Sequence, residues 1–284
     1  MIKSFFSLIL LYSFFAAQAQ NSDPGRDWKL GVQMWTFNKY TFVEGLAKAD
    51  SCGFKYIEAY PGQQLGGNFK GEIGAGMPVE ERKELKAYLS KKGFVLWAFG
   101  VVDGTDDAKT DKDWINVFEF AHDMGIQEIT AMPTSSQLDL VNTLSGKYHI
   151  RAAIHDEPGV NAYDHPDSVL RAIRNRPNLG ACVDIGNWVR NGVDIVDCLQ
   201  KQLHGRVFSL HLKDVQQAGS TRAPDVLLGS GACNLPGIFS ELKKEGFKGF
   251  FSLEVESEGI PKIKDLKTDI NYFNAQARSL ARQL

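Results

Sequence analysis

Short runs rich in β-branched and aromatic residues alternate along the chain with longer stretches whose apolar positions recur at helical spacing. The short runs read as strands at Leu30–Trp35, Phe54–Ala59, Phe94–Val101, Ile126–Met132, His149–Ile154, Leu179–Asp184, Arg206–Leu212 and Phe250–Val255. Between them the spacing predicts helices at Phe42–Cys52, Pro78–Lys92, Asp113–Met124, Leu138–Leu144, Pro166–Asn175, Val193–Leu203 and Leu235–Glu245, and a closing helix from Lys262 onward. Pro78 and Pro166 stand at helix starts, and Gly53, Gly93 and Gly125 just past helix ends, which is where each residue type is tolerated. Strict alternation of strand and helix argues for βα units around a parallel sheet, and this count matches a single-domain (β/α)8 TIM barrel of the α/β class. A doubly wound open sheet would need a nucleotide loop at its switch point. No G-x-G-x-x-G follows a strand, and the glycine-rich stretch from Gly62 to Gly76 reads instead as a long βα loop or mobile lid.

The N-terminus carries a different pattern. Lys3 precedes an almost wholly apolar run from Phe5 to Phe15, followed by Ala17-Gln18-Ala19, the three parts of a secretory signal peptide. The run is shorter than the roughly 18–20 residues that a spanning helix needs. Residues 1–19 are therefore read as a signal peptide and residues 20–284 as the barrel, exported to the periplasm or secreted, with no membrane anchor after cleavage. The remainder suits one barrel, for which roughly 250 residues is typical.

A net charge of −2 and the lack of a Lys/Arg stripe make nucleic acid a poor partner. Cys52, Cys182, Cys198 and Cys233 are scattered, without C-x-x-C spacing, so they outline neither a zinc finger nor a disulfide framework.

Barrel active sites lie at the C-terminal strand ends. There the second run carries Glu58, the fifth leads into His155-Asp156-Glu157, the sixth ends in Asp184, the seventh carries His211 ahead of Lys213 and Asp214, and the eighth carries Glu254 and Glu256. Successive strands thus bring His or carboxylate groups to one rim after apolar runs. Burying them unpaired would be costly, and a divalent cation with mixed nitrogen and oxygen ligands offsets that cost.

Three stretches, Cys182–Trp188, Arg206–Asp214 and Gly249–Glu256, together with the turn Leu228-Gly229-Ser230-Gly231, resemble the sugar phosphate isomerase/epimerase family, the xylose-isomerase-like barrels related to endonuclease IV. The resemblance implies four metal ligands from the fifth to eighth strands, with Asp184, His211 and Glu254 in the last three places and His155 or Glu157 in the first. His155 is preferred there, leaving Glu157 as a group that supports the ligands or acts in catalysis. The ion is expected to be Mn2+, with Zn2+, Co2+ or Mg2+ as alternatives. Members of the family deprotonate carbon beside a carbonyl, which casts Glu254 as ligand and base, Glu157 as second base and Lys213 as an oxyanion donor or the ion-pair partner of Asp214.

Two features depart from the family. Asn187 stands where many relatives have His, and a phosphate-binding cluster is missing, since only Lys213, Arg190 and Arg222 are candidate cations near the rim. The expected substrate is an unphosphorylated sugar, met by Glu58, Trp35, Trp188 and Asn187. The reaction expected is isomerisation or epimerisation, the alternatives being lyase or hydratase action on a 3-keto-glycoside or 3-keto-glucal and non-catalytic sugar binding. Trp97 is read as packing. A nuclease with three metals is disfavoured by a total of six His.

Overall fold

A computed structural model describes residues 23–157, 163–256 and 261–283. The signal-peptide reading of residues 1–19 lies outside them. Eight parallel strands close a barrel: β1 (Lys29–Gln33), β2 (Tyr56–Ala59), β3 (Val95–Asp103), β4 (Glu128–Met132), β5 (Arg151–His155), β6 (Leu179–Asp184), β7 (Val207–Leu212) and, completing the ring against β1, β10 (Phe250–Leu253). Closure runs in register, with Lys29 opposite Phe250 and Val32 opposite Leu253.

The helices begin and end where local chemistry allows. Helix α2 (Phe42–Cys52) starts in a capping box, Thr41 with Glu44, and stops at Gly53, whose φ of 93° is left-handed. Helix α4 (Asp111–Met124) repeats the device with Thr110, Asp113 and Gly125. Helices α3 (Val79–Lys92), α6 (Pro166–Ile173) and α9 (Leu235–Lys244) follow the predicted spacing. Helix α5 (Leu138–Tyr148) runs a full turn past the predicted end, where buried Ser145 donates its hydroxyl to Ile150 O at 2.5 Å and the Tyr148 ring stacks on Phe118 at 6.0 Å. On α10 (Ile263–Ala281), Phe273 packs with Trp28, Phe239 and Phe251, their ring centroids 4.9–6.2 Å from its own. This aromatic cluster lies behind the β1–β10 seam.

Inside the barrel, Trp97 of β3 meets Phe250 of β10 at 6.1 Å. These strands are not neighbours, so the rings touch across the interior. Trp97 is packing, as its sequence context suggests. Glycine makes the room: a Cβ on Gly31 would lie 2.5 Å from the Phe250 ring, and one on Gly180 2.6 Å from Phe208.

Two features escape periodicity. A six-residue helix, α7 (Ile185–Arg190), follows β6 directly, and a hairpin of two-residue strands, β8 (Asp214–Val215) with β9 (Asp225–Val226), rises beyond β7. Both are too short to show a period. The glycine-rich loop is a long βα loop folded onto the barrel. Gln64 and Glu72 form an antiparallel bridge, Leu65 and Ile73 are buried, and Phe42 N donates to Gln64 O at 2.7 Å.

Candidate active site

Strands β5, β6, β7 and β10 end at a buried cluster. His155, Asp184, His211 and Glu254 each offer one donor atom, and the four atoms lie within 4.8 Å of one another. His155 Nε2 is 3.1 Å from His211 Nδ1, which is 3.1 Å from Glu254 Oε2. Asp184 Oδ2 stands 3.8 Å from His155 Nε2 and 3.9 Å from His211 Nδ1. Donors held at 2.0–2.2 Å around one ion stand about 3–3.6 Å apart, so only a small contraction separates this arrangement from a coordination shell.

Local folding presets the donors. Asp184 is the N-cap of α7, and its Oδ1 accepts from Asn187 N at 2.9 Å. That bond fixes the carboxylate and leaves Oδ2 to the histidines. Among the described residues Oδ2 has no hydrogen-bond partner, although Lys213 Nζ stands 3.0 Å away, an ion-pair distance off the line a hydrogen bond needs. His155 Nδ1 is also buried without a partner. On β7, His211 Nε2 lies 3.1 Å from Glu58 Oε2, and Thr130 Oγ1 donates to Glu58 Oε1 at 2.6 Å. A carboxylate holding one ring nitrogen orients the other toward the cluster, the usual support of a metal-binding histidine. Unmet lone pairs and a mixed donor set fit a divalent cation.

Electrostatics keep the carboxylates charged. Burial opposes ionisation of Glu254, yet Lys213 and His211 beside it hold it well below the usual carboxylate range. Asp184 is likewise lowered against its burial, chiefly by the Lys213 ammonium. Burial would lower His211, but Cys182, Glu58 and Glu254 raise it well above its ordinary value. The Cys182 thiol is itself pushed up to about 11 by burial and is neutral, so the carboxylates carry that effect. Asp156, raised well above its usual range by burial and by Asp184, accepts from Asp184 N at 2.9 Å.

A cavity of about 790 Å³ opens over the cluster. Gln33, Trp35, Tyr60, Glu157, Asn187 and Arg190 line it, together with residues 221–225 and the cluster members His155, Asp184 and Glu254. Trp35 is 44% exposed and meets Tyr60 edge-on at 5.0 Å. Glu157 stands two residues past the end of β5, exposed on the cavity wall, whereas His155 is the residue brought into the cluster.

The geometry corrects three expected roles. Trp188 is fully buried and does not line the cavity, because α7 turns it into the core, so it cannot stack on a sugar. Glu58 is spent on His211 and Thr130 beneath the cluster and does not reach the cavity. Lys213 is neither on the cavity wall nor paired with Asp214. Its Nζ lies 2.9 Å from Glu254 and 2.7 Å from Glu256, while Asp214 accepts from the backbone of Val215, Gly229, Gly231 and Cys233. Asn187 does line the cavity, its amide donating to Asp156 O at 3.2 Å and accepting from Arg190 Nη1 at 3.1 Å.

Sequence reasoning missed Gln33, Asp107 and, apart from Arg222, the 221–225 wall. That wall is held by Arg190, which donates to Ala223 O at 3.0 Å and pairs with Asp225. The Arg190–Asp225 pairing joins α7 to a hairpin with no periodic signal.

Comparison with known proteins agrees with this architecture. The model of the xylose isomerase-like TIM barrel family matches residues 46–276. A protein named inosose isomerase, from Halalkalibacterium halodurans, is 23% identical over 248 residues, spanning 78% of this chain and 86% of that protein. A solved structure from Parabacteroides distasonis ATCC 8503 superposes with a TM-score of 0.70 at 31% identity, covering 87% of this chain and 98% of that one. The structure of an L-ribulose 3-epimerase superposes with a TM-score of 0.67 at 14% identity, over 90% of this chain and 96% of that one, which speaks to the fold alone. With its closed eight-strand barrel and a family match over most of its length, the chain belongs to the xylose isomerase-like TIM barrel family.

Proposed function

We propose that the protein is a metal-dependent enzyme that moves a proton on the carbon beside a sugar carbonyl. The observation that carries this reading is the buried His155, Asp184, His211 and Glu254 set at the floor of an open cavity lined by polar and apolar groups alike. A divalent ion held by these four residues would supply Lewis acidity toward oxygens of the substrate. Glu254, kept ionised by Lys213, and Glu157, on the cavity wall, would be the carboxylates that take and return the proton. Trp35 offers an aromatic face for a sugar ring, and Gln33 and Asn187 offer amides to its hydroxyls. The same first step opens isomerisation, epimerisation and elimination.

Charge supports a substrate without phosphate. Six carboxylates, of Asp107, Glu157, Asp184, Asp225, Glu254 and Glu256, line the cavity against Arg190 and Arg222, so the balance stays negative even with a divalent ion in place, and Arg190 is already paired with Asp225. A phosphate dianion would meet net repulsion there.

Solvent deuterium exchange into a panel of neutral keto-sugars, with Mn2+ supplied, tests the reading. Glu157→Gln is expected to retain stoichiometric metal and to slow exchange by about 10²–10⁴-fold. His155→Ala is expected to lose metal. Unchanged exchange in Glu157→Gln, or full metal content in His155→Ala, would remove those residues from their roles.

A further inference from the structure

Beside the catalytic cavity lies a second one of about 460 Å³. The two share Pro61 and Asp107 as common walls. Each by itself falls within the roughly 300–1,000 Å³ of small-molecule sites. We propose that the second cavity is a substrate subsite that takes a second neutral, polyhydroxylated ring, so that the enzyme acts on disaccharides or similar sugar conjugates in preference to free monosaccharides. The inference rests on the sugar chemistry proposed for the first cavity and deepens it.

The lining names the class of occupant. Its floor is apolar, with Phe99, Ile73, Val102 and Val117 buried beneath it. Its rim is polar and carries acceptors: the carboxylates of Glu72 and Asp107 and the amide of Gln64, whose Nε2 donates to Glu72 Oε1 at 2.7 Å. Among the described residues no Lys, Arg or His lines it, so nothing there would favour a phosphate or carboxylate. An apolar face beneath hydrogen-bond acceptors suits a sugar ring, which presents C–H groups on one side and hydroxyl donors at its edge. The wall is preformed: Gly62 N donates to Ile73 O at 3.1 Å, Ile73 N to Gln63 O at 2.9 Å and Leu65 N to Gly71 O at 2.9 Å. The aromatic pair Trp35 and Tyr60 borders Pro61 on the catalytic side, where the first ring would pass toward the second cavity.

Gly76 gives a clean test. It lines only the second cavity, has ordinary φ, and a Cβ there meets nothing within 4 Å. Gly76→Phe would put a bulky ring on the wall of the second cavity and leave the first alone. Gly76→Ala controls for the loss of glycine, and Glu72→Ala removes a rim acceptor on an exposed residue without adding bulk. Titration calorimetry on the Mn2+-supplemented protein would compare neutral disaccharides, in several linkages, with their component monosaccharides. The expected result is that at least one disaccharide binds about tenfold or more tighter than either component. Gly76→Phe should erase that margin, Glu72→Ala reduce it and Gly76→Ala keep it, with monosaccharide affinity unchanged in all three. If no disaccharide exceeds its components, or if Gly76→Phe weakens monosaccharides equally, the subsite is overturned. Deuterium exchange measured in parallel separates the two ideas. A binding margin without exchange on any sugar strikes the enolising reading and leaves the subsite standing, and exchange without a margin does the reverse.

Discussion

Glu58 illustrates how a residue can matter without meeting substrate. Its carboxylate holds His211 Nε2 at 3.1 Å and is itself held by Thr130. Replacing it with Gln leaves a neutral partner that must choose an orientation. Loss of such a supporting carboxylate typically costs about 10–100-fold in metal affinity, and Glu58→Gln is expected to fall in that range for Mn2+ by competition with a chelator, with its melting temperature nearly unchanged. An affinity equal to wild type would show that the ring is held by the barrel alone. At this level the sequence was informative about type and silent about task. Asp184, His211 and Glu254 could be placed by their position at strand ends. The work of Glu58, Lys213 and Trp188 could not, because it depends on which neighbour each side chain meets across strands far apart in the chain.

Among the elements, the β1–β10 seam is the one on which closure depends. Phe251 packs there with Trp28, Phe239, Phe247 and Phe273 at ring-centroid distances of 4.9–5.7 Å. Truncating a fully buried Phe costs about 3–5 kcal/mol, so Phe251→Ala should lower the free energy of unfolding in urea by that amount. A loss under about 1 kcal/mol would mean that the cluster repacks freely. A second element-level expectation concerns α10. Its Asp269 accepts from Leu228 N at 2.9 Å, and burial pushes its carboxyl up to about 6, above the ordinary 3.8. Between those values the folded protein binds more protons than the unfolded chain, so this group makes stability fall as pH rises. The penalty is absent below about pH 4, where both states are protonated, and complete above about pH 6. Denaturation from pH 4 to 7 should show wild type losing ground to Asp269→Asn through that window and running parallel above it. A difference that stays flat would locate the proton elsewhere. Helices such as α2 and α4 were legible because caps and period agree over several turns. The hairpin β8–β9 and helix α7 were not, since two or six residues carry no period and their geometry is imposed by what they cover.

For the molecule as a whole, we propose that the chain is exported and that the mature protein starts at Gln20, motivated by Ala17-Gln18-Ala19 after an apolar run. N-terminal sequencing of protein from its native host should return Gln20, and recovery of intact Met1 would end the proposal. Among the described residues no helix is long and apolar enough to cross a membrane.

By itself the sequence determined the barrel and the rim. Strand and helix periods are local properties, turn residues mark their ends, and eight such units have one economical closed arrangement. It also determined which side chains reach the strand ends, because every strand in a parallel barrel runs the same way. Only the tertiary structure decided which of them share a space. It set His155 in the cluster and Glu157 on the wall, turned Glu58 and Lys213 into supports, sank Trp188 into the core, and placed a second cavity beside the first. Those outcomes depend on register, on bulges such as the one between Ile57 and Glu58, and on contacts across the barrel between strands that the chain separates by scores of residues. Such contacts leave no periodic trace in the order of amino acids.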